Sequence, residues 1–331
     1  MRALVLVHST LVPPDSLKGS TEKEIDEWRT EYDVISHLKS EGHEVRPLGI
    51  SDSLSELRGA IIEWKPHIVF NLLEEFDGIV TYDQHVVAFL ELMHQPYTGC
   101  NPRGMLLSRD KVLSKQLLTY HRVPTPQFMV FPRGKKPRVP KKLRFPLFVK
   151  SSTEDASLGI AHASVVADAK QLTERIAFIH EQTHSDALVE EYIEGRELYL
   201  SVLGNNRLTV FPPREIFFEQ VPDDAPKFAT FHAKWNDAYR KKWGIKNAAA
   251  GPLPDGVKEN LTRLARRIYR LLKIRGFGRI DVRLTSNGEV FVIEANPNPS
   301  LAQEEDFAQA AAEAGMGYDV LIQQILDAAS G

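Results

Sequence analysis

The stretch GRIDVRLTSNGEVFVIEAN, residues 278–296, contains the pattern that decides the fold of this chain. Apolar and polar residues alternate on both sides of Asn287-Gly288, and an Asn-Gly pair between two alternating runs favours a β-hairpin with a two-residue turn. With such a turn, Asp281 lies opposite Glu294, and both side chains point to the same face. The stretch therefore predicts a hairpin in which two carboxylates face each other.

The same register determines both faces of the hairpin. Ser286 faces Glu289 next to the turn, and Arg279 faces Asn296 at the far end, on the side of the two carboxylates. The opposite face is apolar and is expected to pack on the core. Its members are Ile280, Val282, Leu284, Phe291 and Ile293.

Two carboxylates that face each other repel, so this pair needs a compensating charge. One explanation is a bound cation, because oxygens from Asp281, Glu294 and Asn296 suit Mg²⁺, which also takes phosphate oxygens. The other is an exposed sheet face on which Arg279 or Arg283 neutralises the acids. A proline follows Asn296 directly and ends the strand. This favours the metal site, because the strand ends where the ligands end.

The first part of the chain alternates between short apolar runs and amphipathic segments. Thr21 and Glu24 have the spacing of a capping box, which predicts a helix extending toward Ser40. Three strands separated by helices predict a doubly wound parallel sheet. We place the end of this unit between Cys100 and Gly104. The predicted strands are 2–8, 44–47 and 67–72, and the predicted helices are 21–40, 53–64 and 82–93.

The remainder of the chain shows mixed helices and strands without that alternation. Segment 217–252 is long, polar and aromatic, and it has no firm pattern. A segment of this length in a compact protein is a candidate lid over a functional site. The predicted domains are 1–104, 105–186 and 187–331.

The composition limits the class of protein. The chain has 331 residues, a net charge of -3 and 43% hydrophobic residues, which suits a globular protein of two or three domains. The acidic balance predicts no nucleic-acid binding. No run approaches the roughly 20 apolar residues of a membrane span. The single cysteine, Cys100, allows neither a disulfide within the chain nor a cysteine zinc site. These features predict a cytoplasmic protein.

Several segments resemble one known family in the order in which that family has them. Residues 278–282 and 292–296 look like the metal-binding signature of ATP-grasp enzymes, and specifically of D-alanine–D-alanine ligases. The other matching segments fall between about residue 66 and the hairpin. They are 90–93 with 96–99, 110–111 with 124–126, 148–150, and 190–197.

The resemblance implies a fold of mixed α/β and α+β type, with a Rossmann-like N-terminal domain followed by a two-part ATP-grasp fold. ATP would lie between the last two domains. Mg²⁺, or Mn²⁺ in its place, would bind at Asp281, Glu294 and Asn296. Arg279 would stabilise the transferred phosphoryl group, and Lys234 would act from the lid. The residues implied to contact ATP are Lys111, Lys150, Ser157, Gly159, Glu190, Glu191, Tyr192, Ile193 and Glu197.

The resemblance also implies a reaction. The family transfers the γ-phosphoryl group of ATP to a carboxylate, and an amine then displaces phosphate from the acyl phosphate. Such chemistry depends mainly on positioning and charge stabilisation, and a closing lid keeps water away from the intermediate. The partners would be small-molecule carboxylate and amine substrates, and a homodimer is the family-level expectation.

The departures from the family pattern fall on the substrate side. The family has a His-Gly pair where this chain has residues 71–77, and a glycine where it has Ser300. Loops at the carboxyl ends of parallel strands bind ligands, so we expect Glu74, Glu75, Asp77 and Ser300 to contact a substrate. The three acids would hold an ammonium or guanidinium group, or they form a solvated loop.

Three functions remain open from the sequence alone. The leading hypothesis is a carboxylate–amine ligase that acts on amino-acid-like substrates other than two D-alanines. The second is a true D-alanine–D-alanine ligase of cell-wall synthesis. The third is a non-catalytic nucleotide-binding protein, and the complete set of metal ligands, lysines and Arg279 argues against it.

Overall fold

A parallel three-stranded sheet forms the N-terminal part of the molecule. Its strands, in order across the sheet, are β2 (Glu44–Ile50), β1 (Arg2–His8) and β3 (Ile68–Asn71). Residues 3–7 of its central strand are completely buried, because helices cover both faces of a parallel sheet. The computed structural model describes residues 1–135, 137, 142–153, 160–222 and 225–329. The first elements are β1 (Arg2–His8), α1 (Glu22–Glu27), α2 (Arg29–Ser40), β2 (Glu44–Ile50), α3 (Ser55–Trp64), β3 (Ile68–Asn71) and α4 (Asp83–Leu92).

The helix predicted from Thr21 toward Ser40 is two helices in the structure. The capping box is present, because Thr21 Oγ1 accepts from Glu24 N at 3.3 Å and Glu24 Oε2 accepts from Thr21 N at 2.7 Å. The backbone leaves the helical conformation at Trp28 (φ -127°, ψ 25°), and the side chain of Trp28 is buried. The chain therefore starts a second helix, α2, with its own first turn.

The second sheet is antiparallel. Its strands, in order across the sheet, are β4 (Phe128–Phe131), β7 (Ala187–Glu191), β5 (Leu147–Ser151) and β6 (Val165–Val166). Strand β7 pairs with both β4 and β5. The domain boundary predicted after residue 186 would thus separate β7 from its neighbours, whereas a boundary after residue 191 keeps the sheet whole. The elements of this part are α5 (Pro102–Arg109), α6 (Lys111–Tyr120), β4 (Phe128–Phe131), β5 (Leu147–Ser151), β6 (Val165–Val166), α7 (Ala169–Gln182) and β7 (Ala187–Glu191).

The third sheet has six strands. In order across the sheet they are β11 (Ile245–Ala249), β10 (Arg214–Phe218), β8 (Arg196–Leu203), β12 (Phe277–Leu284) and β13 (Val290–Pro297), and β9 (Thr209–Val210) pairs with β8. Segment 217–252, which lacks a sequence pattern, contains the end of β10, helices α8 and α9, and β11. Nowhere in the described part of the chain is a helix long and apolar enough to cross a membrane. The elements are β8 (Arg196–Leu203), β9 (Thr209–Val210), β10 (Arg214–Phe218), α8 (Phe231–Trp235), α9 (Asp237–Trp243), β11 (Ile245–Ala249), α10 (Val257–Leu271), β12 (Phe277–Leu284), β13 (Val290–Pro297), α11 (Asp306–Glu313) and α12 (Tyr318–Ala329).

The turn between β12 and β13 differs from the predicted two-residue turn. Thr285, rather than Ser286, pairs with Glu289, since Thr285 N donates to Glu289 O at 2.9 Å. Three residues therefore form the loop, and the last of them, Gly288, has φ 82°. A turn followed by a left-handed glycine is the usual geometry of a three-residue hairpin loop. The prediction of a hairpin is confirmed, and the predicted turn length is wrong.

A β-bulge in β13 restores the predicted register beyond the turn. Val282 lies opposite Val292, whereas the preceding residue, Asp281, lies opposite Glu294. Ile293 is thus the extra residue of the bulge. One additional residue in the loop and one in the strand offset each other, so the two carboxylates face each other as predicted.

The predicted core face is confirmed on β12 and wrong on β13. Phe291 and Ile293 are only partly buried and lie outside the core cluster, because a one-residue shift in register reverses which side chains face the core. The residues of the two strands that belong to the core cluster are Ile280, Val282, Leu284, Val290, Val292 and Ala295.

Candidate active site

A cleft lies between the four-stranded and the six-stranded sheets, with walls from β5, β7, β8, β12, β13 and residues 228–234. Most of the side chains predicted to bind ATP and metal line this one cleft, together with Ile293 of the bulge. The predicted residues among its lining are Lys150, Glu190, Glu191, Tyr192, Ile193, Glu197, Lys234, Asp281 and Glu294.

Asp281 and Glu294 face each other across the hairpin. Asp281 accepts two hydrogen bonds from Arg279, at 2.8 and 2.9 Å, and a third from Asn296 Nδ2 at 3.1 Å. Burial raises the pKa of Asp281, Arg279 opposes this rise, and the neighbouring Glu294 adds to it. The guanidinium of Arg279 lies 4.6 Å from the ring centroid of Tyr199, which restricts where it can point.

Positive charge surrounds Glu294. Burial alone would raise the pKa of Glu294, but four nearby cations lower it to about 2. Lys150 Nζ lies 3.8 Å from Glu294 Oε2. These cations come from four separate elements, α6, β5, α8 and β12, so only the tertiary structure assembles them. They are Lys111, Lys150, Lys234 and Arg279.

Two lysines hold a second buried carboxylate, Glu190. Lys115 contacts Glu190 Oε1, and Lys150 Nζ lies 3.0 Å from Glu190 Oε2. Burial would raise the pKa of Glu190, but the two ammonium groups outweigh it and lower the pKa. The sequence reasoning missed Lys115. The sequence feature that could have indicated Lys115 is its spacing of four residues from Lys111, because this spacing places both lysines on one face of α6.

Glu197 occupies the wall formed by β8. Arg283 Nη2 donates to Glu197 Oε2 at 2.8 Å, and the Tyr199 hydroxyl donates to Glu197 Oε1 at 3.1 Å. Arg283 therefore neutralises Glu197 and not the opposed acids of the hairpin. The contact follows from the register of β12 with β8, where Arg283 lies opposite Glu197. A pairing between distant strands leaves no local signal in the sequence.

Helix α8 brings Lys234 to the cleft from the candidate lid. The ring of Phe228 packs edge-on against Phe148 at 5.1 Å, and Phe231 N donates to Ile160 O at 3.1 Å. Both contacts connect segment 217–252 to the part of the chain that contains the four-stranded sheet. Phe228, Ala229 and Lys234 of the segment thus line the cleft, which is the position that the candidate lid requires.

The start of α6 lies beside the end of β5. Asp110 caps the helix with its side chain, and Lys111 N donates to Ser152 O at 3.1 Å. Lys111 is buried and contributes to the charge around the hairpin acids. Ser157 and Gly159, predicted to close over the phosphates, lie outside the described residues.

Comparison with known proteins decides the family. The model of the D-ala D-ala ligase C-terminus matches residues 117–327. A D-alanine–D-alanine ligase of Moorella thermoacetica is 30% identical over 319 residues, which cover 94% of this chain and 96% of the relative. The chain belongs to the D-alanine–D-alanine ligase family. An uncharacterised protein of Sinorhizobium fredii, y4sG, is 37% identical over 266 residues, which cover 79% of this chain and 74% of that protein.

Solved structures confirm the predicted fold of this D-alanine–D-alanine ligase-like chain. A D-alanine–D-alanine ligase from Bacillus anthracis has a TM-score of 0.78 at 23% identity, covering 100% of this chain and 97% of that one. The ligase from the same organism complexed with ATP has a TM-score of 0.75 at 22% identity, with the same coverage. As a family member, the chain is an ATP-grasp ligase that forms carbon–nitrogen bonds. The non-catalytic hypothesis is correspondingly disfavoured.

The four residues of this ligase predicted to contact substrate do not line the cleft. Glu75 Oε1 lies 3.5 Å from His8 Nε2 at the end of β1, and Asp77 N donates to Ser51 O at 2.7 Å just beyond β2. These contacts place the acidic loop at the carboxyl edge of the parallel sheet, the edge at which such sheets bind ligands. The predicted residues are Glu74, Glu75, Asp77 and Ser300.

The loop after β13 joins this edge to the hairpin acids. The hydroxyls of Ser300 and Thr30 lie 2.8 Å apart, and Gln303 N donates to Asp33 Oδ2 at 2.9 Å. Ser300 follows Asn296 by only four residues. The first turn of α2 is thus attached to the loop that leaves the hairpin site.

Proposed function

We propose that the cleft binds Mg-ATP and that the ligase activates a small-molecule carboxylate as an acyl phosphate before an amine attacks it. The observation that carries this proposal is the pair Asp281 and Glu294, surrounded by four cations in the cleft that residues 190–193 also line. Opposed acids with nearby lysines suit a metal ion and phosphate groups together, since each charge then has an opposite neighbour.

The hairpin residues fit a magnesium ion, with manganese as a substitute. Asp281, Glu294 and Asn296 supply oxygen donors on one face. Each carboxylate oxygen has two lone pairs, so Asp281 can accept from Arg279 and still contribute a ligand. When bound, the ion would neutralise charge on the phosphates.

The other residues of the cleft would bind different parts of ATP. Lys111 and Lys150 would contact phosphate oxygens as compact point charges. Residues 190–193 would meet the adenine and Glu197 the ribose. Glu190 would fix Lys150 in place, because both of its oxygens contact lysines.

Two residues would act on the reacting groups. Arg279, aligned by its bidentate contact with Asp281 and by Tyr199, would stabilise the transferred phosphoryl group and the oxyanion that follows. Lys234 would bring a further positive charge from the lid and help to exclude water from the acyl phosphate.

We infer that the substrates are amino-acid-like and are not two D-alanines. The support is the acidic loop 74–77 at the substrate edge, which replaces the His-Gly pair of the family. The second candidate, a true D-alanine–D-alanine ligase, is favoured by the 30% identity that extends across 94% of the chain.

Phosphate release with Mg-ATP tests both candidates against a panel of single and paired D- and L-amino acids and small amines. We expect release with a pair other than two D-alanines. Release with D-alanine alone would favour the second candidate. No ATP-dependent release with any member, together with no binding of ATP, would contradict the proposed ligase cleft.

A further inference from the structure

The exposed face of α10, together with the turn that follows the helix, is strongly basic. Six exposed cations and one acid, Glu259, border the groove along this face. Their net charge is +5, so the remainder of the chain, whose total charge is -3, carries -8. The chain is thus acidic as a whole and basic at one place. The six cations are Lys258, Arg263, Arg266, Arg267, Arg270 and Lys273.

This basic face points away from the cleft. The buried side chains of α10 belong to the same core cluster as Ile280 and Val282 of β12. Asp281 lies between these two residues and lines the cleft, because side chains alternate between the two faces of a strand. Helix α10 therefore covers the face of the third sheet opposite to the cleft, and its polar side faces solvent.

The cations on this face repel one another. Arg263 and Arg267 are four residues apart, and Arg267 and Arg270 are three apart, spacings at which like charges destabilise a helix. Within the described residues, none of the six forms an ion pair with a carboxylate. Arg263 donates to Asn260 Oδ1 at 3.1 Å, and Arg267 donates to the carbonyl of His121, both uncharged groups. An anion from outside the chain would relieve this repulsion.

An exposed tyrosine borders the basic face. Tyr120, at the end of α6, is 81% exposed and directly precedes His121, the residue that accepts from Arg267. Four of the six cations are arginines. Arginine and tyrosine are enriched at the energetic centres of protein interfaces, where lysine is depleted. The composition of this face is therefore typical of a surface that binds another protein.

We propose that the basic face of α10, with Tyr120 at its border, docks an acidic helix of a partner protein. Carboxylates three and four residues apart on the partner helix would match the arginines at the same spacing. Each planar guanidinium can donate two parallel hydrogen bonds to one carboxylate. The inference is independent of the proposed ligase function, because the two surfaces lie on opposite sides of the third sheet.

A compact partner suits this face better than an extended anionic surface. The helical cations extend from Lys258 to Arg270, about 18 Å at 1.5 Å per residue. A membrane or a long nucleic acid would reach beyond that length and meet the remainder of the chain, whose net charge of -8 repels it. A partner helix of three or four turns would cover only the basic face.

The test measures binding of a fluorescent helical peptide to the full chain by anisotropy. The probe has glutamates three and four residues apart along one face, and the control peptide has the same composition with its glutamates spread around the helix. We expect the probe to bind about 10-fold more tightly than the control peptide. Its affinity should fall when salt is raised from about 0.05 M to about 0.5 M.

A double variant tests the role of the arginines. Arg266→Gln combined with Arg270→Gln should weaken binding of the probe about 10-fold. Arg58→Gln combined with Lys170→Gln removes two exposed helical charges elsewhere and should leave the affinity unchanged. The arginine variant should melt no lower than the wild type, because it removes repulsion. It should also retain the thermal stabilisation by Mg-ATP, which checks that the cleft is intact.

Equal affinity for the two peptides, or equal affinity of the two double variants for the probe, would overturn the inference. A melting temperature of the arginine variant below that of the wild type would contradict the repulsion on which it rests. Tighter binding to phosphatidylglycerol vesicles or to a short DNA duplex than to the probe would also overturn it, because the face would then belong to a lipid surface or a nucleic acid.

Discussion

The two carboxylate clusters of this ligase differ in the charge around them. Asp281 and Glu294 lie in a cleft where four cations lower the pKa of Glu294 to about 2. Glu31 and Glu74 lie at the edge of the parallel sheet, where burial raises the pKa of Glu31 to about 7. The first cluster keeps its charge with the protein's own cations. In the second cluster, burial instead favours the protonated, uncharged form of Glu31.

The largest expected effect comes from removing a charge in the first cluster. Glu294→Gln should lower the rate of phosphate release by about 1,000-fold, because it removes a metal ligand and leaves the surrounding cations unbalanced. Steady-state kinetics with Mg-ATP measures this. Glu289→Gln, an exposed acid of the same hairpin, is the control. Full activity of Glu294→Gln would show that the metal assignment is wrong.

Breaking the buried contacts of Glu190 should affect stability. Lys115→Met keeps the length of the side chain but leaves Glu190 with Lys150 alone, so the free energy of unfolding should fall by about 3 kcal/mol. Urea unfolding measures the change, and Lys170→Met, at an exposed position of α7, is the control. A loss no larger than in the control would mean that Lys115 does not stabilise Glu190.

The second cluster should make stability depend on pH in a defined window. The pKa of Glu31 is higher in the folded chain than in the unfolded chain, so the folded state keeps this proton up to a higher pH. The free energy of unfolding therefore falls as pH rises from about 4.5 to about 7. Glu31→Gln removes this effect and should be more stable than the wild type by about 2 to 3 kcal/mol at pH 8. The advantage should vanish near pH 4.

Thermal or urea unfolding at several pH values measures that difference, and Glu27→Gln is the matched control. A stability difference between wild type and Glu31→Gln that stays constant from pH 4 to pH 8 would contradict the raised pKa.

The smallest effect is expected at the exposed acid of the second cluster. Glu74→Gln should raise the KM for one substrate by about fivefold and the KM for ATP by less, because an exposed charge contributes about 1 kcal/mol or less. Initial rates measure both constants, with the exposed Glu56→Gln as control. Unchanged KM values would favour the alternative interpretation, in which Glu74 belongs to a solvated loop that does not contact a substrate.

The sequence predicts the first cluster well because its key residues are local. Asp281 and Glu294 belong to one hairpin, and alternation around the Asn-Gly pair predicts that they face each other, although the structure reaches this pairing through a longer loop and a bulge. The resemblance to the family adds the cleft residues that are far apart in the chain. The parallel sheet and the capping box at Thr21 are equally local patterns, and the structure confirms both.

What the sequence does not predict depends on contacts between distant elements. Lys115 acquires its role only because the fold brings α6 to Glu190 at the end of β7, and Arg283 only because β12 pairs with β8. In the sequence, Glu31 cannot be distinguished from any other acid in the first turn of a helix. It is buried only because α2 packs on the sheet. The length of the turn and the bulge at Ile293 also could not be predicted from the local sequence, because each depends on the twist of the completed sheet.

The three-residue loop and the bulge each shift the register of the hairpin by one residue, in opposite directions. If this sequence formed only one of the two, Asp281 would no longer face Glu294, and the side chain of Glu294 would point to the opposite face of the sheet. Loop length and bulge are therefore linked in this sequence, because only the three-residue loop combined with the bulge at Ile293 pairs Asp281 with Glu294. Engineers who graft this hairpin should transfer both irregularities together, or neither.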